Sequence, residues 1–242
     1  MPDDVLVSEA QSRQIASHRS GIPYIDPVAI GQFLSRLQYP LHFLDFETIQ
    51  SAVPIFDRSH PFTAIPFQFS LHIIPEKGAN VQHYSFLADG KCDPRPAFIS
   101  ELRKLLGRSG SIVGYNTAFE TARLADCALF FPEYAEWVGS VRNRFIDLLE
   151  VFRGMSYYHP SQNGSASLKA VLPALTAATY KGLQIADGGA AGREFMRIAF
   201  SRVSRRERKR VRQALQEYCA QDTRGLIDIL ESLERLCESD PS

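Results

Sequence analysis

The stretch Leu41 to Thr48, LHFLDFET, constrains this chain most. It is an apolar run with strand character (Leu41, Phe43, Leu44, Phe46), short for a helix, and it carries two carboxylates two residues apart. Successive side chains of a strand point to opposite faces, so Asp45 and Glu47 emerge on one side while Leu44 and Phe46 point to the other. Two carboxylates desolvated side by side repel, and one holds its proton unless a cation sits between them. A divalent metal answers both charges. An edge strand turning its polar face to water shows the same alternation, so further carboxylates at suitable positions are needed to separate the two readings.

The remaining chain narrows the class. Its 242 residues are 45% hydrophobic, as in an ordinary globular protein. Acidic and basic residues balance at 27 each, so an electrostatic footprint for nucleic acid has to be local. Cys92, Cys127, Cys219 and Cys237 form no CxxC pair and the six histidines show no HxxxH spacing, which argues against a structural zinc. No run approaches the ~20 apolar residues of a membrane span, and the expectation is a soluble, cytoplasmic protein with no membrane partner.

Residues 1–25 are polar and weakly patterned and read as a loose lead-in to one domain over residues 26–238. Asp26 and Pro27 open a short helix through Leu37. After the Leu41–Thr48 strand and a proline-containing loop, Pro66–Ile74 and Val81–Leu87 read as strands, and their short connections imply antiparallel pairing. Pro96–Leu106 is a helix closed by Gly107, Ser111–Tyr115 a buried strand, and Thr117–Phe131 a helix stopped by Pro132. The strand, helix, strand passage is a crossover that makes the sheet mixed. Arg144–Phe152 fits a strand or a helix start. Ser167 opens another helix, Ala186–Gly192 precedes one through Phe200, and Ser204–Cys237 is a long helix with a break expected near Gly225.

Two later stretches add acids. In GYNTAFETARL, Asn116 stands in the cap position at a strand end, and Glu120 lies one turn into the helix, facing the positive end of its dipole. In YCAQD, Asp222 falls on the apolar stripe of the last helix with Tyr218 one turn before it. Structural readings stand beside both: an ordinary capping Asn with a first-turn acid, and an Asp222 that caps a new helix beginning TRGLIDIL.

Together, Asp45-Phe46-Glu47, Asn116 with Phe119-Glu120, and Tyr218 to Asp222 resemble, in order and spacing, the motifs of the ribonuclease H-like DEDD 3′-5′ exonucleases, Tyr subgroup. A finer resemblance, through FLDFET, IPFQFSLH, YNTAFE and SLKAVLPAL, is to a bacterial family known only as a domain of unknown function and covers about residues 27–235. The resemblance implies an α/β fold with a ribonuclease H-like mixed five-stranded sheet flanked by helices. It implies two-metal hydrolysis of single-stranded DNA or RNA with magnesium or manganese, which hard oxygen ligands favour. Asp45 would bridge both ions, Glu47 and Asp222 would hold the one carrying the nucleophile, and Glu120 would hold the second through water. Tyr218 would orient the attacking water. Glu120 departs from the family pattern, where this acid is Asp, and a catalytically weak nucleic-acid-binding module in a repair or defence assembly is the alternative. Asp126 and Asp147 are spare acids nearby.

Phe46, Thr48, Asn116 and Phe119 flank the acids as candidate contacts to the terminal nucleotide. Arg205, Arg208, Lys209 and Arg212, within the basic run Arg202–Arg212, are candidate phosphate contacts; a solvated helix face is the alternative. Gly188, Gly189 and Gly192 read as a turn or a phosphate cradle. His60, His72 and His159 read as structural. A single strand of nucleic acid and an upstream or separate nuclease or repair domain are the expected partners.

Overall fold

Capping and turn chemistry punctuate the chain into short strands and amphipathic helices. The computed structural model describes residues 8–238. In order they form α1 (Glu9–Ser20), β1 (Tyr24–Ile25), α2 (Pro27–Leu34), β2 (Leu41–Ile49), β3 (Ile65–Ile74), β4 (Gln82–Leu87), α3 (Arg95–Leu105) and β5 (Ile112–Gly114). There follow α4 (Ala118–Phe130), α5 (Ala135–Arg142), β6 (Phe145–Asp147), α6 (Leu149–Arg153), β7 (Tyr157–Tyr158), α7 (Leu168–Leu175), α8 (Gly188–Phe200) and α9 (Arg205–Glu238).

These residues gather into two compact units. One comprises Gln38–Ile146 and Tyr180–Arg224. Its frame is the five-stranded sheet of order β4-β3-β2-β5-β6, in which β6 ends at the unit's boundary. β2 is central, antiparallel to β3 and parallel to β5, and β3 is antiparallel to β4. Helices flank this mixed sheet, which is the ribonuclease H-like arrangement expected. Residues of alternate parity along β2 serve two cores. Leu44 and Phe46 join Phe69, Phe98, Leu102 and Leu124 in the first, against α3, α4 and α5. Ile49 and Phe67 join Phe195, Ile198, Val211 and Leu215 in the second, beneath α8 and α9, with Phe67 and Phe195 stacked at 4.0 Å. Each such fully buried large side chain is worth about 1.5–3 kcal/mol. A bulge between Glu47 and Thr48 shifts the β2–β3 register where α8 meets the strand.

The other unit comprises, of the described residues, 8–37, 147–179 and 225–238. β1 and β7 pair antiparallel within it. Asp26 caps α2 by accepting from the Ala29 N–H at 2.9 Å, and Pro27 takes the first helical position, as expected.

Several local expectations are corrected. Residues 9–20 are a helix, not a loose lead-in, because Ser8 and Gln11 form a reciprocal capping box and Gly21 closes the other end in the left-handed conformation; residues 1–7 of that stretch lie outside the described residues. Arg144–Phe152 holds both structures expected as alternatives, β6 and then α6. α9 runs unbroken through Gly225, whose missing side chain makes room for Leu172: a Cβ there would meet Leu172 Cδ2 at 2.9 Å. No helix among the described residues is long and apolar enough to cross a membrane.

Candidate metal centre

β2 and α9 supply the site. Strand alternation puts Asp45 and Glu47 on the face opposite Leu44 and Phe46, toward α9. On α9 the buried stripe runs through Val211, Leu215, Tyr218, Cys219 and Asp222. One carboxylate oxygen from each of Asp45, Glu47 and Asp222 lies within 4.8 Å of the others. Asp222 is 7% exposed and sits well inside α9, where no helix begins, so the capping alternative is excluded.

Neighbours of this cluster are neutral donors. The Tyr180 hydroxyl donates to Asp222 Oδ1 at 2.5 Å, and its ring lies 6.4 Å from that of Tyr218. Cys219 Sγ is 3.7 Å from Asp45 Oδ2. Burial, together with the charges of Asp222, Glu47 and Glu120, holds the Asp45 carboxyl well above the usual carboxylate range. Burial followed by the charge of Asp222 pushes the Tyr180 and Tyr218 hydroxyls up, so both stay protonated at neutral pH. The Cys219 thiol is raised by burial and by Asp45. All three charges in the cluster are hard oxygen donors, and their mutual repulsion is what a divalent cation would relieve.

The first turn of α8 abuts the acids. A Cβ on Gly188 would stand 3.2 Å from Glu47 Oε2, and one on Gly192 would stand 2.9 Å from the Thr48 carbonyl oxygen. Glycine there lets the helix start approach β2 and brings the positive end of its dipole to a carboxylate. The glycines expected to form a turn or cradle are thus helical, with Asp187 as cap, accepting from Ala190 N–H at 2.7 Å. Alongside is a cleft of ≈ 680 Å³ lined by Thr48, Gln50, Gly188, Gly189, Gly192, Arg193, Met196, Arg197, Phe200 and Ser201.

Glu120 lies on the first turn of α4, 3% exposed, and its charge is felt by Asp45. Its carboxylate is not a member of the three-residue cluster. Asn116 is not the helix cap: Thr117 holds that position, and Asn116 turns the chain with φ 65°, a conformation Asn tolerates. Phe119 is half-buried beneath the Arg123 guanidinium. Phe46 is a core residue, 4% exposed and edge-on to Phe98 at 4.8 Å, so it has no face to offer a nucleotide.

Arg205, Arg208, Lys209 and Arg212 share a groove of ≈ 470 Å³ with Gln213 and Gln216. Within it Arg212 is a tether, donating to the Ala88 and Leu87 carbonyls at 2.6 and 2.9 Å, which leaves Arg205, Arg208 and Lys209 as the candidate phosphate contacts. Asp126 pairs with Arg123 at 2.7 Å, and Asp147 accepts from Leu149 N–H at 3.1 Å; neither belongs to the cluster. His159 accepts from Ser161 N–H, whereas His60 is exposed. Tyr180 and Cys219 are the site neighbours that sequence reasoning missed. Tyr180 belongs to no regular element and stands 42 residues from Asp222, so no period links them.

A polar cluster adjoins the acids. Ser70, paired with Asp45 across the β2–β3 ladder, lies 2.7 Å through its hydroxyl from Thr223 Oγ1, which is 2.8 Å from His72 Nδ1. Ser70 is also 3.0 Å from His83 Nε2. Burial, aided by the charges of His83 and Arg224, lowers His72 to about 4.

Comparison with known proteins gives this architecture a family. The model of the family described as "Domain of unknown function (DUF2779)" matches residues 42–167, just over half of the chain, and the chain belongs to that family. The match takes in Asp45, Glu47 and Glu120; Tyr218 and Asp222 lie beyond it. An uncharacterised protein of Mycoplasma pneumoniae, the MG366 homolog, is 27% identical over 77% of this chain and 31% of its own length. MG366 of Mycoplasma genitalium is 26% identical over 80% and 32%, and UU173 of Ureaplasma parvum 24% identical over 97% and 37%. The chain therefore spans about a third of the length of these relatives. No solved structure matches it.

Proposed function

We propose that this chain is a metal-dependent 3′-5′ exonuclease of single-stranded DNA or RNA, of the DEDD type with a tyrosine in its last motif. The observation that carries the reading is the convergence of Asp45, Glu47 and Asp222 within 4.8 Å, from two elements distant in sequence, with Tyr218 one helical turn from Asp222. The donor set fits magnesium or manganese: all oxygen, all acidic and mutually repelling. Asp45, Glu47 and Asp222 would hold the ions directly, with Glu120 reaching through water. Bound there, two such ions supply an activated water and neutralise charge on the phosphate and the leaving 3′ oxygen.

The chain's own groups do the positioning. The Tyr218 hydroxyl, kept protonated by burial, is a poor base but a good donor to the attacking water. Tyr180 fixes the Asp222 carboxylate in orientation. Arg205, Arg208 and Lys209 offer cations to the backbone of a strand whose end lies at the acids. Along α9, Lys209 and Asp222 are 13 residues apart, ~20 Å at the helical rise.

One observation favours a second reading, a catalytically weak nucleic-acid-binding module: the Glu120 carboxylate stands outside the three-acid cluster. End-labelled oligonucleotides incubated with manganese decide between them. Stepwise shortening from the 3′ end supports the exonuclease. Binding that survives chelator, with no shortening at any manganese concentration, supports the module and removes the nuclease.

A further inference from the structure

The cleft beside α8 has a composition that the acids alone do not explain. It opens next to Glu47, through Gly188, and its ≈ 680 Å³ falls in the ~300–1,000 Å³ range of small-ligand sites. Its residues are chemically sorted. Thr48 and the first turn of α8 form the end near the carboxylates; Met196 and Phe200 form an apolar end. Two arginines and no acid line it. Arg197 is taken up by Glu194 at 2.8 Å and Glu207 at 3.0 Å, whereas Arg193 is exposed.

Phe200 is the unusual member. It ends α8 and is 50% exposed, a large aromatic side chain left half in solvent at the mouth of a cleft, its ring 6.4 Å from that of Phe56. A purely structural aromatic at a helix end would turn its face into the core, as Phe195 does on the same helix, 1% exposed and stacked on Phe67. A half-exposed aromatic ring beside an exposed cation and a polar helix start matches the three parts of a nucleotide: base, phosphate and sugar.

We propose that this cleft holds the nucleotide next to the scissile phosphate, with Phe200 stacking on its base and Arg193 binding its phosphate. The inference rests on the nuclease reading for the position of the scissile phosphate, but the site would take a single-stranded end whether or not hydrolysis follows. Stacking serves any base, so the cleft would be tolerant of sequence, and a base paired at a duplex end would first have to be freed from its partner to enter the cleft. Selection for single strands over duplex ends is thereby built into α8 rather than into the acids.

The test uses the whole chain and a 5′-fluorescein-labelled oligothymidylate, with an oligouridylate arm and a blunt duplex arm. Binding is read by fluorescence anisotropy in calcium, and hydrolysis in manganese. Phe200→Ala is expected to weaken single-strand binding and raise KM by about tenfold, the loss of one stacked base, with kcat within about twofold. Phe200→Trp should restore both, and Arg193→Ala should weaken binding and flatten its salt dependence. Single-strand binding unchanged in Phe200→Ala, or Phe200→Trp no better than Phe200→Ala, overturns the inference. Wild-type protein that binds the strand through Phe200 yet never shortens it keeps the cleft and removes the nuclease. Shortening that is indifferent to Phe200 and Arg193 does the reverse.

Discussion

Two polar clusters lie side by side on β2, β3 and α9, and they are built on opposite principles. Ser70, His72, His83 and Thr223 are neutral groups that complete one another's hydrogen bonds. Asp45, Glu47 and Asp222, one residue away along α9 and one cross-strand pair away across the sheet, are acids that repel one another. The first cluster is finished by the fold and acts as structure. The second is left unbalanced by the fold, since burying like charges together costs stability that packing does not return, and on our proposal a divalent cation completes it. Proximity to a site therefore does not make a polar residue functional; whether the chain itself balances its charge does.

The two clusters should differ most at Asp222 and Thr223. Asp222→Ala should lower hydrolysis by about a thousandfold or more, because several kcal/mol of charge stabilisation depend on the ions it would hold. The same variant, melted without metal, should be as stable as wild type or more so, since it removes one of the repelling acids. A large loss of metal-free stability would make Asp222 structural. Thr223→Val should do the opposite. It strips the hydroxyl from Ser70 and His72 in a buried site and should cost about 2 kcal/mol by urea unfolding, while leaving the manganese-induced rise of the thermal midpoint intact.

The two clusters should also respond to pH with opposite sign. His72 has a native pKa lowered to about 4 from 6.5, so the stability it contributes is present above about 6.5 and is lost as pH falls toward 4. Asp45 has a native pKa raised well above 3.8, so its contribution is present at low pH and is lost as pH rises through that raised value. Metal-free protein should show both effects in urea midpoints measured across pH; saturating manganese should erase the loss that comes with rising pH and leave the loss that comes with falling pH. The smallest effect is expected at the donor to the metal cluster. Tyr180→Phe removes the hydroxyl that orients Asp222 and should weaken manganese affinity by about tenfold, with little change in metal-free stability.

Much of this contrast was legible in sequence, and the reason is local periodicity. Strand alternation put Asp45 and Glu47 on one face, and helical spacing put Tyr218 and Asp222 on the buried stripe of α9. The same alternation sends Phe46 to the opposite face, into the core with Phe98 and away from any nucleotide at the acids. Ser8 and Gln11 carry a capping-box signature for α1, a local signal passed over when residues 1–25 are read as a loose lead-in. What sequence could not reveal depends on contacts without a period. His72 reads as a structural histidine, but its partner Thr223 is 151 residues away. Arg212 looks like its neighbours in the basic run until β4 ends against it and offers two carbonyls. Gly225 reads as a helix breaker because composition does not record that Leu172 occupies the space beside it.

Whether divalent ions complete the three acids that the fold leaves self-repelling is answered by counting bound manganese. Electron paramagnetic resonance of free manganese, titrated with wild type and with the isosteric variant Asp45→Asn, measures the number and affinity of sites without reference to any substrate. Two saturable sites in wild type, and fewer than one of comparable affinity in Asp45→Asn, are expected. Equal uptake by the two proteins, or none by wild type, would mean that these acids hold no metal.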